Sequence, residues 1–259
     1  MNKTLQHISS AVLGIAVFLF WWLFYPYALS FQEQNQLFLF TWDYFSERIS
    51  LSGGLADYIA EFITQFSYIP YLGEALLAVV FVIFQKAIAL SIDRDEWYVL
   101  SFVAPVMMLV YMSDIYVMLS YLVALIAAVL LCALYRRHPG IIWAGIATVL
   151  GYWLIGPAIF VFTLFAVIRE RNSKSLILIA LSVIVVVASR LTYLQQYPWK
   201  TVIFGINYYR LPITVPAMQL IIAGVTALIP AFSDLLPKPR RILDISLGLL
   251  ILAGGIVGC

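Results

Sequence analysis

The sequence predicts an all-α fold, a polytopic transmembrane helical bundle in which residues 1–259 form a single transmembrane domain. Of the 259 residues, 64% are hydrophobic and only 11% are charged, whereas soluble domains carry roughly a quarter charged residues. The apolar residues form long runs, and a helix needs about 20 such residues to cross a bilayer. The runs lack the two-residue alternation of a membrane β-barrel, so helices are predicted.

The first apolar run, residues 9–29, predicts a span with a cytoplasmic N-terminus, because Lys3 precedes it. The end of this run, Ala28-Leu29-Ser30, weakly resembles a signal-peptidase site. Bulky aromatic residues such as Trp22 and Tyr27 directly before it favour an uncleaved anchor at the outer interface instead. We therefore expect a multi-pass membrane protein whose N-terminus lies in the cytoplasm.

Residues 31–70 predict an extracytoplasmic loop, which holds five acidic residues against the single base Arg48. Apolar side chains recur at helical spacing over residues 55–66, while Asp57 and Glu61 occupy the other face. This pattern predicts an amphipathic helix that lies flat on the outer membrane interface. The two acids are then expected to face water.

Further apolar runs predict the remaining full spans. They cover residues 71–90, 97–112, 115–135, 175–187, 212–229 and 243–257. Basic residues after the fourth span and before the last one favour cytoplasmic loops there and place the C-terminus outside. The prediction is about seven full spans together with a broken helical hairpin. Because the chain stops directly after its last span, we expect it to be truncated after residue 259.

Residues 141–168 predict the broken hairpin. The run is longer than one span, Gly156-Pro157 interrupt its middle, and basic residues lie at both ends, Arg137 before it and Arg169 after it. Two half-helices that meet at Gly156-Pro157 keep both basic ends in the cytoplasm. A single span, which stays open as the alternative, would place the second basic group outside.

Glu33 and Asp43 are the candidate catalytic residues. A carboxylate in a partly dry site can act as the general base that deprotonates an acceptor hydroxyl beside an anionic leaving group. The alternative is that the outer acids are solvated charges. We favour the alternative for Glu47, Asp57 and Glu61, whereas for Glu33 and Asp43 the two interpretations are nearly balanced because apolar and aromatic residues surround them.

Arg190, Lys200 and Arg210 are the candidate substrate-binding residues. They lie between one pair of spans on the outer side, against the positive-inside trend, and a guanidinium group matches phosphate oxygens. The alternative is that Arg190 reaches to the lipid headgroups. No Cys/His metal spacing, glycine-rich phosphate loop or nucleic-acid-binding pattern is visible. We expect no nucleic acid partner and no cofactor, with a divalent metal left open.

The stretch FQEQNQLFLFTWDYFSERIS, followed by GGLADYIAEFITQFSYIPYLG, resembles an uncharacterised family of polytopic bacterial inner-membrane proteins, a domain of unknown function. The residues that carry the resemblance are Glu33, Gln34, Gln36, Phe38, Asp43, Tyr44, Gly53, Gly54, Phe62, Gln65, Phe66 and Gly73. It covers the first third of the chain well and the remainder by topology. The layout is also similar to that of GT-C membrane glycosyltransferases, which keep an acidic residue in the first outer loop.

The leading functional hypothesis is a GT-C-like transferase, or an inactive relative, that acts on a lipid-phosphate-linked sugar among membrane lipids at the outer face. It predicts that four residues converge on one outward-facing groove, namely Glu33, Asp43, Arg190 and Arg210. The first alternative is a transporter or lipid flippase, which predicts a cavity around Gly156-Pro157. The second is a non-enzymatic scaffold whose outer helix docks an extracytoplasmic protein partner, which predicts no enclosed polar pocket.

Overall fold

The computed structural model describes residues 3–25, 27–170, 173, 175–206, 208 and 217–236. Within these ranges the chain forms twelve α-helices joined by turns and short 3-10 helices, which confirms the predicted all-α class. The helices are α1 (Lys3–Phe24), α2 (Ala28–Asn35), α3 (Trp42–Ile49), α4 (Gly54–Thr64), α5 (Leu72–Ile92), α6 (Val103–Met112), α7 (Leu119–Arg137), α8 (Ile141–Ile155), α9 (Ile159–Glu170), α10 (Ser175–Leu191), α11 (Trp199–Phe204) and α12 (Ala217–Phe232).

Six helical segments of the described residues are long and apolar enough to cross a membrane. They are Lys3–Phe24, Leu72–Ile92, Asp95–Met112, Leu119–Arg137, Ile141–Glu170 and Ala217–Leu235. Their number indicates a multi-pass membrane protein, in which helices satisfy their own backbone polar groups. The predicted last span, 243–257, lies outside the described residues, so the total number of spans stays a prediction.

The helices α5 and α7 lie against each other at the centre of the bundle, and α1 packs on the other side of α5. The large side chains of Phe81 and Phe84 on α5 are completely buried. On α7, Ala124 and Ala128 are also completely buried. Small residues such as these allow helix backbones to approach closely, which is how helices pack inside a membrane.

The helices α8 and α9 form the predicted hairpin. The Oγ1 atoms of Thr148 and Thr163 lie 3.2 Å apart, and the ring centroids of Trp143 and Phe162 lie 5.7 Å apart. These contacts require the chain to reverse at the 3-10 turn Gly156–Ala158. The whole 30-residue segment has the length and apolarity of a single span, but the side-chain contacts show two antiparallel helices.

The two ends of the bundle differ in charge. One end, here termed the arginine end, carries Arg94, Arg136, Arg137 and Arg169. The opposite end, termed the α4 end, carries α2, α3, α4, α11 and the tip of the α8–α9 hairpin. The positive-inside trend therefore predicts that the arginine end faces the cytoplasm.

The orientation of α4 differs from the one expected from its sequence. Asp57 is only 8% exposed and Glu61 only 1% exposed, whereas Ile59 and Phe62 are 40% and 42% exposed. The acidic face of α4 thus lies against α7 and α8, and its apolar face points away from the bundle. The prediction that Asp57 and Glu61 face water is wrong, because partners inside the protein bind their charges. That α4 lies in the membrane interface stays a prediction.

Candidate functional site

The turn between α3 and α4 is attached to the tip of the hairpin by its backbone. The N–H group of Gly53 donates to the carbonyl of Trp153 at 2.8 Å, and the Ser52 hydroxyl donates to the carbonyl of Tyr152 at 2.6 Å. Gly53 has a φ of 88° and Gly156 a φ of 69°, and a Cβ added to Gly156 would lie 3.3 Å from the Cα of Gly53. Both the left-handed backbone and this close approach require glycine.

Arg48 of α3 binds the acidic face of α4. Its Nη2 donates to Glu61 Oε1 at 2.9 Å and its Nε donates to Glu61 Oε2 at 3.0 Å, while Nε lies 3.8 Å from Asp57 Oδ2. The Tyr44 hydroxyl also donates to Glu61, and the Ser120 hydroxyl donates to Asp57 Oδ1 at 2.7 Å. These five residues, termed the Arg48 network, neutralise two carboxylates with a forked guanidinium group and two hydroxyls.

Electrostatics keeps Tyr44 and Arg48 of the Arg48 network protonated. Burial, followed by the hydrogen bond to Glu61, raises the pKa of Tyr44 to about 12, so its hydroxyl stays a donor at neutral pH. Burial lowers the pKa of Arg48, but the hydrogen bond with Tyr44 and the charges of Glu61 and Asp57 raise this pKa above its ordinary value overall. Because its groups bind each other, the network stabilises the fold and does not offer a free base.

Glu33 and Asp43 occupy different positions. Glu33 is half-buried on α2, whose Gln32 donates to the carbonyls of Ile115 and Val117 at 3.2 and 3.1 Å. Asp43 is exposed in the first turn of α3. In the part of the chain that the structure describes, neither carboxylate forms a hydrogen bond or an ion pair, and no contact joins them. Neither group is held by a partner among the described residues, and nothing described here brings them together.

Arg190 contacts α11, and Lys200 lies on this helix. The guanidinium carbon of Arg190, at the end of α10, lies 5.6 Å from the centre of the Trp199 ring, and Lys200 follows Trp199 directly. The buried Nε of Arg190 has no hydrogen-bond partner, and among the described residues no carboxylate pairs with this side chain. Arg210 lies outside the described residues. Two of the three predicted binding residues thus lie beside one short helix.

A cleft of about 280 Å³ opens between the tip of the hairpin, α11 and α12. Its walls are largely apolar and include Pro157, Phe160, Leu164, Ile203, Leu220 and Gly224. Tyr208 lies at its edge, where its hydroxyl donates to the carbonyl of Ile155 and accepts from the N–H group of Ala158 at 3.2 Å. This space, termed the chain cleft, has the apolar character that suits a hydrocarbon chain.

A second cleft of about 400 Å³ lies between α8, α10 and the end of α3. Its lining is Ser50, Val149, Tyr152, Trp153, Val185, Ala188, Ser189, Thr192 and Tyr193. Aromatic rings and hydroxyl groups alternate here with a few aliphatic side chains. This space, termed the ring cleft, is chemically distinct from the chain cleft, since it offers both stacking surfaces and hydrogen-bonding oxygens.

Two features escaped the sequence prediction. Arg48 and Glu61 are 13 residues apart across a glycine turn, and helical spacing cannot reveal such a pair. One signal was available, because Arg48 is the single base of an acidic loop. The ring cleft could not be predicted from local sequence patterns, since its lining residues come from three separate segments of the chain. Over the described residues, no three His, Cys, Asp or Glu side chains lie together in a group that could hold a metal ion.

Comparison with known proteins gives one match. No curated protein and no solved structure matches the chain. The family described as "Family of unknown function (DUF6057)" matches residues 2–251, well beyond the first third of the chain that carried the resemblance. The likeness to GT-C enzymes stays a prediction. The chain therefore belongs to this family of unknown function, DUF6057.

Proposed function

We propose that this multi-pass membrane protein binds a lipid-phosphate-linked sugar at the outer face of a bacterial inner membrane, with the hydrocarbon of the lipid in the chain cleft. The observation that carries the proposal is the apolar cleft at the helix break, between α9, α11 and α12. Bilayer hydrocarbon is as apolar as the cleft, so the hydrocarbon of the bound lipid contributes packing and orientation more than binding affinity. Contacts with the headgroup must then provide the selectivity.

Arg190 is the proposed ligand for the lipid phosphate. It contacts Trp199, and Ile203, one helical turn further along α11, lines the chain cleft. A guanidinium group binds phosphate oxygens through two parallel hydrogen bonds. The exposed Lys200 on the same helix adds a second positive charge, and we propose Arg210 as a third. The phosphate of a lipid whose hydrocarbon occupies the chain cleft would therefore lie beside basic side chains that have no acidic partner among the described residues.

The charge distribution supports the proposed orientation. The arginine end faces the cytoplasm in this proposal, with the N-terminus on that side and the C-terminus outside. The α4 end then lies at the outer face, and the exposed Ile59 and Phe62 of α4 suit the membrane interface. The same apolar face is where an extracytoplasmic protein partner would dock.

The chain cleft can be filled by a single substitution. A Cβ added to Gly224 would meet no heavy atom within 4 Å, so Gly224→Phe places a ring in the cleft without displacing the backbone. We expect this variant, purified in nanodiscs and transferred to mild detergent, to retain several-fold less lipid than the native protein. Native mass spectrometry of the retained lipids measures the effect.

The matched control is Ile221→Phe on the same helix. Ile221 is half-exposed and does not line the chain cleft, so we expect its variant to retain lipid like the native chain. Circular dichroism during heating verifies that both variants are folded. If folded Gly224→Phe retains as much lipid as Ile221→Phe, the chain cleft does not hold the lipid.

Transfer of the sugar is a candidate activity within this proposal. The carboxylates of Glu33 and Asp43 are not engaged by the described residues, and Asp43 lies on α3, whose following residue Ser50 lines the ring cleft. A general base contributes roughly 10²–10⁴-fold to a rate. We expect Glu33→Gln or Asp43→Asn to lower the transfer of sugar from a fluorescent lipid phosphate at least 100-fold.

Glu47→Gln is the control for these two variants, because Glu47 is an exposed acid of the same segment. If all three variants transfer sugar at the native rate, neither candidate is the base. A lipid flippase would use the same cleft at the helix break without a base. Movement of a fluorescent lipid across liposomes that contain the purified chain distinguishes this second candidate.

A further inference from the structure

We infer that the ring cleft binds the polyhydroxylated headgroup of the lipid, its sugar. The inference rests on the proposed function, because the lipid brings the sugar to the membrane surface. A volume of about 400 Å³ lies within the range of small-molecule sites, roughly 300–1,000 Å³. Two fixed rings, a set of acceptor oxygens and one neighbouring cation lead to this assignment.

Two aromatic rings of the cleft are held in place and remain partly open. Trp153 is 44% exposed and Tyr193 is 43% exposed. The Trp153 Nε1–H group donates to the carbonyl of Ile49 at 2.7 Å, and the Tyr193 hydroxyl donates to Ser189 Oγ at 3.1 Å. The apolar C–H face of a sugar packs well on such rings, and rings that are already ordered lose little entropy on binding.

The hydroxyl groups of the cleft are arranged as acceptors. Ser50 and Thr192 donate their protons to backbone carbonyl oxygens at 2.6 and 2.7 Å. Each hydroxyl oxygen still has a lone pair that can accept a hydrogen bond. A ligand rich in O–H donors is the complement of this surface.

Charge distinguishes a sugar from an ammonium group, which is the other kind of headgroup rich in hydrogen-bond donors. The residues that line the ring cleft include no acidic side chain among those described. Arg190 directly follows Ser189, and its positive charge would repel an ammonium group at this short range. A neutral polyol is therefore favoured over an amine.

Arg190 lies between the two clefts. Ser189 lines the ring cleft, and consecutive side chains on a helix diverge by about 100°, so Arg190 points instead to Trp199 on α11. Ile203 of α11 lines the chain cleft. The chain cleft, Arg190 and the ring cleft thus follow one another in space. This is the order in which hydrocarbon, phosphate and sugar follow one another in one lipid.

The experiment uses the full chain in nanodiscs that contain equal amounts of glucosyl-diacylglycerol, diacylglycerol and phosphatidylethanolamine with identical acyl chains. Native mass spectrometry measures which lipids stay bound after transfer to detergent. We expect at least fivefold enrichment of glucosyl-diacylglycerol over diacylglycerol, and we expect Trp153→Ala to remove this enrichment. Trp22→Ala is the control, since Trp22 is an exposed tryptophan of α1 outside the cleft.

Tyr193 also lines the ring cleft, but it lies in the turn after α10. Tyr193→Ala therefore decides the outcome if Trp153→Ala does not fold. Loss of the enrichment in the folded variants, with Trp22→Ala unchanged, supports the sugar site. Equal retention of glucosyl-diacylglycerol and diacylglycerol by the native chain overturns it. Gly224→Phe, measured in parallel, lowers all three lipids if the chain cleft holds them, so failure of the sugar site and failure of the chain site are distinguishable.

Discussion

The arginine end and the α4 end of the bundle use arginine differently. At the arginine end, Arg94 donates to the carbonyls of Ser233 and Leu236, and Arg136 donates to the carbonyl of Pro230. These arginines bind the last carbonyl groups of α12 and the 3-10 turn after it, where a positive charge is also favoured by the helix dipole. Both Arg136 and Arg169 pair with Asp234.

Among the described residues, the α4 end contains one arginine of each kind. Arg48 is bound to Glu61 through two hydrogen bonds, as the arginines at the opposite end are bound to their partners. Arg190 instead contacts a tryptophan ring and has no carboxylate partner among the described residues. The comparison indicates that a matched arginine stabilises the fold, while an unmatched one is available to a ligand. Three substitutions test this distinction.

The largest effect is expected for Glu61→Leu. The substitution removes the acceptor of two Arg48 hydrogen bonds and leaves a partly buried guanidinium opposite Asp57 alone. Breaking a buried ion pair in this way lowers the free energy of unfolding by about 3 kcal/mol, measured by denaturation in mixed micelles. Glu47→Leu, at an exposed position of α3, should change it by less than about 0.5 kcal/mol. Equal stability of the two variants would show that the Arg48 network does not hold α4.

A smaller loss is expected for Arg136→Ala. The side chain donates to Asp234, to the carbonyl of Pro230 and to the Ser233 hydroxyl. Losing these hydrogen bonds should lower the free energy of unfolding by about 2 kcal/mol. Arg137→Ala is the control, because its side chain is exposed and makes no hydrogen bond within the described ranges. The distinction fails if both variants lose the same stability.

The smallest change in stability is expected for Arg190→Gln. Because no carboxylate of the described residues depends on Arg190, unfolding should change by less than about 0.5 kcal/mol. Retention of a lipid phosphate should nevertheless fall about tenfold, equivalent to about 1.4 kcal/mol. Native mass spectrometry measures the binding, with Arg137→Gln as the control. A loss of stability like that of Arg136→Ala would identify Arg190 as a structural residue.

Hydropathy and charge placed the long helices well. The hairpin was predictable because basic residues at both ends and Gly156-Pro157 in the middle favoured a reversal, as found. The first span was predicted over 9–29, but α1 covers Lys3–Phe24. The residue before a proline disfavours the helical conformation, so a helix is expected to end ahead of Pro26 in the sequence.

The orientation of α4 was not predictable, because an amphipathic pattern shows two faces without showing which one is buried. Arg48, which precedes the glycine turn, and Ser120 of α7 bind Glu61 and Asp57 on the inward face, and the spacing of the sequence reveals neither contact. The clefts could not be predicted from local sequence patterns either. In the chain cleft, for example, Pro157 and Gly224 come from distant segments. The roles of Glu33 and Asp43 stay predictions for the same reason, as they depend on neighbours that spacing does not reveal.

The bonds between the glycine turn and the hairpin tip also set an order in time. Ser52 and its acceptor Tyr152 are 100 residues apart, which the ribosome translates in roughly 5–20 s. During this interval the Ser52 hydroxyl and the Gly53 N–H group have no hairpin to bind and must be satisfied by water. The first loop therefore forms these two hydrogen bonds only after α8 has been synthesised.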